Sequence, residues 1–179
     1  GMAFMCAHFN VQGTVFMPVT TPQQKIQKTQ MFGGDNVTIS LLGDYFDECL
    51  AAAQAYCIEQ SAYFLSPFDD EDVIEGQASV GVEIEAQLGG VPDHIILPVG
   101  GGGLSSGLIS YFGTKCTYTF VEPKGGACLR AALKAGRPVK LDKVDTFADG
   151  AAVGRIGEKT FARLKDVGLA NTLTIAEDR

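Results

Sequence analysis

The sequence lacks the features by which membrane-spanning and secreted proteins are usually recognised. No apolar run reaches the roughly 18 residues that a membrane-spanning helix requires. No basic segment followed by an apolar core begins the chain, so the pattern of a secretory signal is not seen either. The five cysteines are odd in number and contain no Cys-x-x-Cys pair, which predicts reduced thiols in a cytoplasmic protein.

Positive charge and histidine are also scarce. The chain has 14 Lys and Arg against 21 Asp and Glu, and this net charge of −7 argues against nucleic acid or an anionic membrane as a partner. The two histidines, His8 and His94, stand apart from other metal-ligating residues, so we expect packing or surface roles for them. The consecutive acidic residues 69–72 would point in different directions, which favours a helix start over a metal site.

What the 179 residues do contain is a regular alternation of strand-like and helix-like segments. Strands are predicted at 11–19, 37–42, 62–65, 94–97, 118–121 and 172–175. Helices are predicted at 2–9, 22–33, 44–60, 73–88, 108–112, 127–135 and 157–165. Such alternation predicts an α/β protein with a parallel sheet, whose functional loops lie at the carboxyl ends of the strands.

Four consecutive glycines between a predicted strand and a predicted helix are the most informative feature. They are Gly100, Gly101, Gly102 and Gly103. Without side chains, the backbone can turn sharply and bring several N–H groups close to one point. The dipole of the following helix adds partial positive charge at the same place. The sequence therefore predicts a phosphate cradle that needs little help from Lys or Arg.

The four glycines have three other interpretations. A Walker A loop requires Lys and then Ser or Thr after its last glycine, and Leu108 follows Gly107, which excludes that kind of triphosphate site. A dinucleotide-binding motif needs glycines at offsets 0, 2 and 5, which no start in this loop supplies, although Glu122 lies about where a ribose-binding acid is expected. A glycine turn without a ligand is a third interpretation, although ordering four glycines costs backbone entropy.

The stretch 98–107, Pro-Val-Gly-Gly-Gly-Gly-Leu-Ser-Ser-Gly, resembles the phosphate loop of the threonine dehydratase branch of the fold-type II pyridoxal-phosphate enzymes. Three further stretches, 66–77, 120–129 and 147–157, resemble the same family in the same order. The opening residues Gly1, Met2 and Ala3 resemble the helix that follows the family's Ser-x-Gly-Asn-His-Ala-Gln segment. The resemblance therefore covers the whole chain.

The resemblance implies an α/β fold of two open, mostly parallel βα lobes, as in the tryptophan synthase beta-like superfamily, incomplete at both ends. Residues 1–66 would form a small lobe that lacks its first strand. Residues 67–179 would form the core of the large cofactor-binding lobe, without its N- and C-terminal parts. The resemblance also implies that the protein forms a homo-oligomer and that its substrate is a small amino acid.

The resemblance also implies the cofactor, the reaction and the residues that hold the cofactor. Pyridoxal 5′-phosphate would serve the deamination of L-threonine, and of L-serine, to 2-oxobutanoate or pyruvate and ammonia. The glycines from Gly100 to Gly103 and the amide of Leu104 would bind the 5′-phosphate, and Gly150 would pass close to the pyridine ring. None of the nine lysines lies in the family's Ser-Phe-Lys-x-Arg-Gly-Ala context, so the Schiff-base lysine is expected upstream of residue 1. The chain is thus expected to be the middle of an enzyme, inactive by itself.

Three polar residues near the loop are predicted to have non-catalytic roles. Ser105 and Ser106 lack a nearby His–Asp pair, so capping or phosphate contact is predicted rather than nucleophilic catalysis. In related serine racemases the glutamate equivalent to Glu122, with an aspartate six residues later, helps to bind a divalent cation. Here the later residue is Cys128, so no metal is predicted and Glu122 is assigned a structural role.

Alternatives within and outside this family stay open at the level of sequence. Serine dehydratase, serine racemase and cysteine synthase share the fold that the resemblance implies. A non-catalytic phosphate- or nucleotide-binding module would use the same glycines without any reaction. A structural domain would use them only to turn, and phosphate would then not stabilise it.

Overall fold

A computed structural model describes residues 1–44, 46–145, 147–148 and 150–176. The strands are β1 (Gly13–Met17), β2 (Val37–Leu41), β3 (His94–Pro98), β4 (Thr117–Pro123) and β5 (Thr172–Ile175). The α-helices are α1 (Met2–Phe9), α2 (Gln23–Gly33), α3 (Phe46–Glu59), α4 (Glu71–Leu88), α5 (Gly103–Phe112), α6 (Cys128–Ala135) and α7 (Glu158–Leu164). Within the described ranges, no helix is both long enough and apolar enough to cross a membrane.

The chain divides into two compact units, Gly1–Phe64 and Leu65–Arg179. The first unit contains a parallel pair of strands, β1 and β2, in which Gly13 lies opposite Val37. Helices α1, α2 and α3 pack around this pair. Its core cluster is small and contains the buried residues Ala3, Cys6 and Val37.

The second unit is built on a three-stranded parallel sheet with the order β3-β4-β5. His94 lies opposite Thr117 in the first ladder, and Phe120 lies opposite Thr172 in the second. A much larger core fills the space between this sheet and its helices, and it includes Leu97, Phe120 and side chains from α5, α6 and α7. Parallel strands joined through helices confirm the predicted α/β fold, and they bring the carboxyl ends of β3 and β4 to one edge.

Helix α4 confirms the helix that the sequence predicts at 73–88. The carboxylate of Asp70 caps its start by accepting hydrogen bonds from the N–H groups of Asp72 (2.9 Å) and Val73 (3.4 Å). Its end is closed by Gly89, whose backbone is left-handed with φ 71°. Helix α4 is therefore capped at both ends.

The strand predicted at 62–65 is wrong, because these residues form no strand in the structure. Helix α3 ends at Glu59, Ser61 takes a left-handed conformation with φ 52°, and the N–H of Ala62 donates to Cys57 O at 2.9 Å. A strand forms only where a neighbour completes its hydrogen bonds. Among the described residues, the sheet of the first unit consists of β1 and β2 alone.

The crossing of α4 and α5 provides a test of this packing, because the two backbones meet at Gly107. A Cβ on Gly107 would lie 2.6 Å from Ala78 N and 2.8 Å from Ile74 O. We expect Gly107→Ala to lower the free energy of unfolding by roughly 1–3 kcal/mol, since the two backbones must move apart. Urea denaturation followed by circular dichroism measures this change.

A matched control lies on the facing helix. A Cβ on Gly76 of α4 would have no atom within 4 Å. Gly76→Ala should raise the free energy of unfolding by roughly 0.5–1 kcal/mol, because alanine loses less backbone entropy in a helix than glycine does. If both substitutions changed stability in the same direction, the described crossing would be wrong.

Candidate functional site

The glycine loop, residues 100–103, carries the chain from the end of β3 into α5. Just before it, the N–H of Val99 donates to Val121 O at 2.9 Å, so pairing with β4 continues one residue beyond β3. Gly102 has φ 93°, a conformation that side chains disfavour. The first bond of α5 follows at once, from the N–H of Ser106 to Gly102 O at 2.9 Å. The loop therefore places the N-terminus of α5 at the carboxyl edge of the sheet.

The carbonyl groups of the loop are held by donors from the protein itself. The thiol of Cys128 donates to Gly100 O at 3.2 Å. The hydroxyl of Thr160 donates to Gly101 O at 2.8 Å, and the N–H of Gly157 approaches the same oxygen at 3.4 Å. With Gly102 O bound by the helix, the negative ends of three successive peptide groups are satisfied internally.

The N–H groups of the loop, unlike its carbonyl groups, lack hydrogen-bond partners among the described residues. Within the described part of the chain, no acceptor pairs with the N–H of Gly101, Gly102, Gly103, Leu104 or Ser105. All of these residues except the half-buried Leu104 are buried. A buried N–H without a partner costs about 1–3 kcal/mol, so this row of donors favours an acceptor from outside the described residues. An anion with several oxygens fits, and the dipole of α5 favours its charge.

The missing side chains of the loop are also explained by packing. A Cβ on Gly101 would overlap the ring of Phe68, and one on Gly103 would lie 3.1 Å from Phe68 Cβ. A Cβ on Gly102 would lie 3.0 Å from Thr160 Oγ1. The interpretation of the glycines as a mere turn accounts for this crowding, but it leaves the unpaired N–H groups unexplained. An anion bound at the start of α5 would supply the acceptors that these N–H groups lack.

Gly150 lies beside the start of the loop. Its carbonyl oxygen is 3.3 Å from the position that a Cβ on Gly100 would occupy, and Ala151 Cα is equally close. Gly150 itself is exposed, and a Cβ on it would have no atom within 4 Å. Asp149, in the same stretch of the resemblance, lies outside the described residues. The structure thus brings Gly150 next to the loop, and its predicted place against the pyridine ring stays a prediction.

Glu122, near the end of β4, supports the loop indirectly. Its carboxyl group is fully buried and accepts the N–H groups of Leu129 at 2.7 Å and Arg130 at 2.9 Å. Burial raises the pKa of Glu122, and this effect outweighs the lowering by the two amide hydrogen bonds and the charge of Arg130. Glu122 therefore caps the start of α6, which is a structural role. Across the described ranges, no three His, Cys, Asp or Glu side chains form a metal-binding group.

Cys128 begins α6 and holds the first glycine of the loop. Its side chain is fully buried, and burial together with the nearby Glu122 raises the pKa of Cys128 to about 12. The thiol is therefore protonated at neutral pH, which keeps it a donor to Gly100 O. From the sequence, Cys128 was noted only as a departure from a metal-binding pattern.

Asp69 and Thr160 are functional supports that the sequence analysis missed. Asp69 was interpreted as part of a solvated acidic helix start, yet its carboxylate accepts the N–H groups of Glu158, Lys159 and Thr160. One local signal could have revealed this. Gly157 stands at the N-cap position of α7 without a side chain to cap it, so an acceptor from elsewhere in the chain is needed.

The two serines after the loop differ in their surroundings. The hydroxyl of Ser106 donates to Thr160 O at 3.2 Å, which ties α5 to α7. The hydroxyl of Ser105 is buried and has no hydrogen-bond partner among the described residues. The structure therefore gives Ser106 a packing role, and phosphate contact by Ser105 stays a prediction.

Comparison with known proteins identifies relatives along the whole chain. The family model described as pyridoxal-phosphate dependent enzyme matches residues 1–178. The biosynthetic L-threonine dehydratase IlvA of Lactococcus lactis is 45% identical over 172 residues, covering 93% of this chain and 41% of that protein. The same enzyme of Bacillus subtilis is 44% identical over 170 residues, covering 93% of this chain and 40% of that protein. The chain thus spans about two fifths of the length of these curated relatives.

Solved structures are similar to this chain over nearly its whole length. Threonine deaminase isoform 2 from Solanum lycopersicum superposes with a TM-score of 0.84 and 37% identity, covering 97% of this chain and 50% of that chain. Maize serine racemase gives a TM-score of 0.85 at 22% identity, covering 98% of this chain and 52% of that chain, a likeness that shows the fold alone. The resemblance predicted from the glycine loop and its neighbouring stretches is confirmed.

The chemistry of Cys128 can be tested by thiol labelling. Because its pKa is raised above the ordinary value, Cys128 has almost no thiolate at mildly alkaline pH, and burial excludes the reagent. We expect iodoacetamide to modify the half-buried Cys57 and to leave Cys128 unmodified in the folded protein. Peptide mass spectrometry measures both rates, and urea should make them equal. Rapid labelling of Cys128 in the folded state would contradict its place under the loop.

Proposed function

Because this chain belongs to the family of pyridoxal-phosphate-dependent enzymes, we propose that the whole protein containing it deaminates L-threonine to 2-oxobutanoate and ammonia. L-Serine, giving pyruvate, is the second substrate of the proposal. The row of unpartnered N–H groups at the start of α5 carries the cofactor part of the proposal. The substrate part is supported by the names of the two curated relatives from Lactococcus lactis and Bacillus subtilis, both biosynthetic L-threonine dehydratases.

The residues of the glycine loop fit the phosphate end of the cofactor. The N–H groups from Gly101 to Leu104 would donate to the 5′-phosphate oxygens, while Gly100, without a Cβ, leaves room for the backbone of Gly150 and Ala151. The dipole of α5 favours a dianion there, so the proposed cradle contains no Lys or Arg. When bound, pyridoxal phosphate supplies an electron sink for bonds at the substrate's α-carbon. The residues of this chain bind the cofactor's phosphate and orient it.

Gly150 fits a position against the flat face of the ring. It lies beside Gly100, carries no side chain and leaves the space at its own Cβ position open. A ring joined to the phosphate through a single carbon atom would lie within reach of it. A side chain at position 150 would extend into this open space, where the ring of the cofactor is proposed to lie.

The remaining parts of the reaction are proposed to come from the rest of the protein. None of the nine lysines lies in the sequence context of the family's cofactor-bound lysine, so the group that takes the α-proton belongs outside these residues. Residues 1–66 are proposed to be the small lobe and residues 67–179 the core of the cofactor-binding lobe. A homo-oligomer in the cytoplasm completes the proposal, and the five free cysteines support that compartment.

The whole protein, purified with pyridoxal phosphate, tests this function. We expect it to bind the cofactor, to release 2-oxobutanoate from L-threonine, and to release pyruvate from L-serine with a lower kcat/KM. The chain of residues 1–179 by itself is the matched control and should form no 2-oxo acid, because it lacks the expected lysine. A folded whole protein that binds no pyridoxal phosphate, or that only racemises serine, would overturn the proposal.

A further inference from the structure

The first turn of α7 is capped from far away in the chain. The carboxylate of Asp69 accepts the N–H groups of Glu158 at 3.0 Å, Lys159 at 2.8 Å and Thr160 at 3.2 Å, across about 90 residues of sequence. These are the orphan donors that any helix start leaves. Gly157 makes this approach possible, since a Cβ there would overlap the carboxylate of Asp69. Asp69 therefore determines where α7 begins.

The same turn of α7 holds the glycine loop. The hydroxyl of Thr160 is fully buried and donates to Gly101 O at 2.8 Å. A peptide group is planar, and its C=O and N–H point in opposite directions. Holding Gly101 O on the α7 side therefore turns the N–H of Gly102, one of the unpartnered donors, toward the other side. The direction of the Gly102 N–H, which is proposed to donate to the phosphate, thus depends on the position of Thr160.

The neighbour of Asp69 contacts the loop directly. Phe68 packs against Gly101 and Gly103, so closely that neither position could carry a Cβ without displacing it. The backbone of Asp69 is itself fixed, because its N–H donates to Ser66 Oγ at 3.0 Å. One dipeptide thus supports the loop in two ways, through the ring of Phe68 and through the capped start of α7.

We propose that Asp69 is a positioning residue for the phosphate-binding loop, acting through the first turn of α7 and the hydroxyl of Thr160 on the peptide between Gly101 and Gly102. This inference rests on the proposed function, in which that loop binds the cofactor's phosphate. Asp69 touches neither cofactor nor substrate in this assignment. Its effect is on the affinity for the phosphate group.

A second link between the same two segments serves as a control. Glu71 forms an ion pair with Arg163 of α7, two residues after Asp69 and three after Thr160. This pair is partly exposed to solvent, and exposed ion pairs contribute little to stability. It joins the same parts of the chain without contacting the glycine loop. Glu71→Gln therefore removes a link between the segments and leaves the proposed route from Asp69 to Gly101 intact.

The experiment compares the dissociation constants of pyridoxal 5′-phosphate and of pyridoxal for the whole protein. The ratio of the dissociation constant of pyridoxal to that of pyridoxal 5′-phosphate measures what the phosphate group contributes to binding, independently of turnover. Asp69→Asn keeps the size of the side chain but replaces one acceptor oxygen by a donor. Thr160→Val removes the hydroxyl and keeps the shape. We expect each to reduce the ratio by roughly threefold to tenfold, the effect of one lost hydrogen bond.

The control variants should behave differently. Thr160→Ser retains the hydroxyl and should restore the ratio to within about twofold of the wild-type value, as should Glu71→Gln. An equal loss of affinity for both compounds in Asp69→Asn and Thr160→Val would indicate general damage to the fold and overturn the inference. An unchanged ratio in these variants would overturn it as well. A wild-type ratio near one would instead refute the proposed phosphate site, and the inference with it.

Discussion

The rigidity of the peptide group is the constraint on which the site depends. An N–H group faces a ligand only if the carbonyl of the same peptide is held on the opposite side. In the glycine loop, Cys128 and Thr160 hold the carbonyls of Gly100 and Gly101, and the start of α5 holds that of Gly102. The groups that donate to the loop carbonyls therefore determine the direction in which the loop N–H groups point. The cradle is determined as much by these supporting side chains as by the glycines.

Both supports depend on buried or half-buried acids that cap helices lacking caps of their own. Ala127 precedes α6 and Gly157 precedes α7, and neither has a side chain that could accept an N–H. Glu122 supplies the acceptor for α6 and Asp69 supplies it for α7. Each acid thereby fixes one helix start, and each helix start presents one donor to the loop. These two acidic side chains thus arrange the loop that is proposed to bind an anion.

Local patterns were sufficient to predict the glycine loop, the parallel α/β architecture and helix α4, because each of these has a signal within a few residues. Capping by Asp70 and Gly89, for example, agrees with the acidic start and glycine end visible in the sequence. The strand predicted at 62–65 failed because strands require a partner, which an apolar run does not reveal. The roles of Asp69 and Cys128 were missed for a related reason. The hydrogen bonds of Asp69 and Cys128 join residues about 90 and 28 positions apart, and contacts of that kind produce no periodic pattern in the sequence.

The span of these contacts bears on the order in which the protein is made. The loop at residue 101 takes its orientation from Phe68 and Asp69 on one side and from residues 157–160 on the other. Contacts of such high sequence separation form late, since a long segment must be closed before they contribute. On the ribosome, the glycines emerge well before Thr160 does. If the loop binds phosphate as proposed, a nascent chain acquires that affinity only after α7 has been synthesised and has docked.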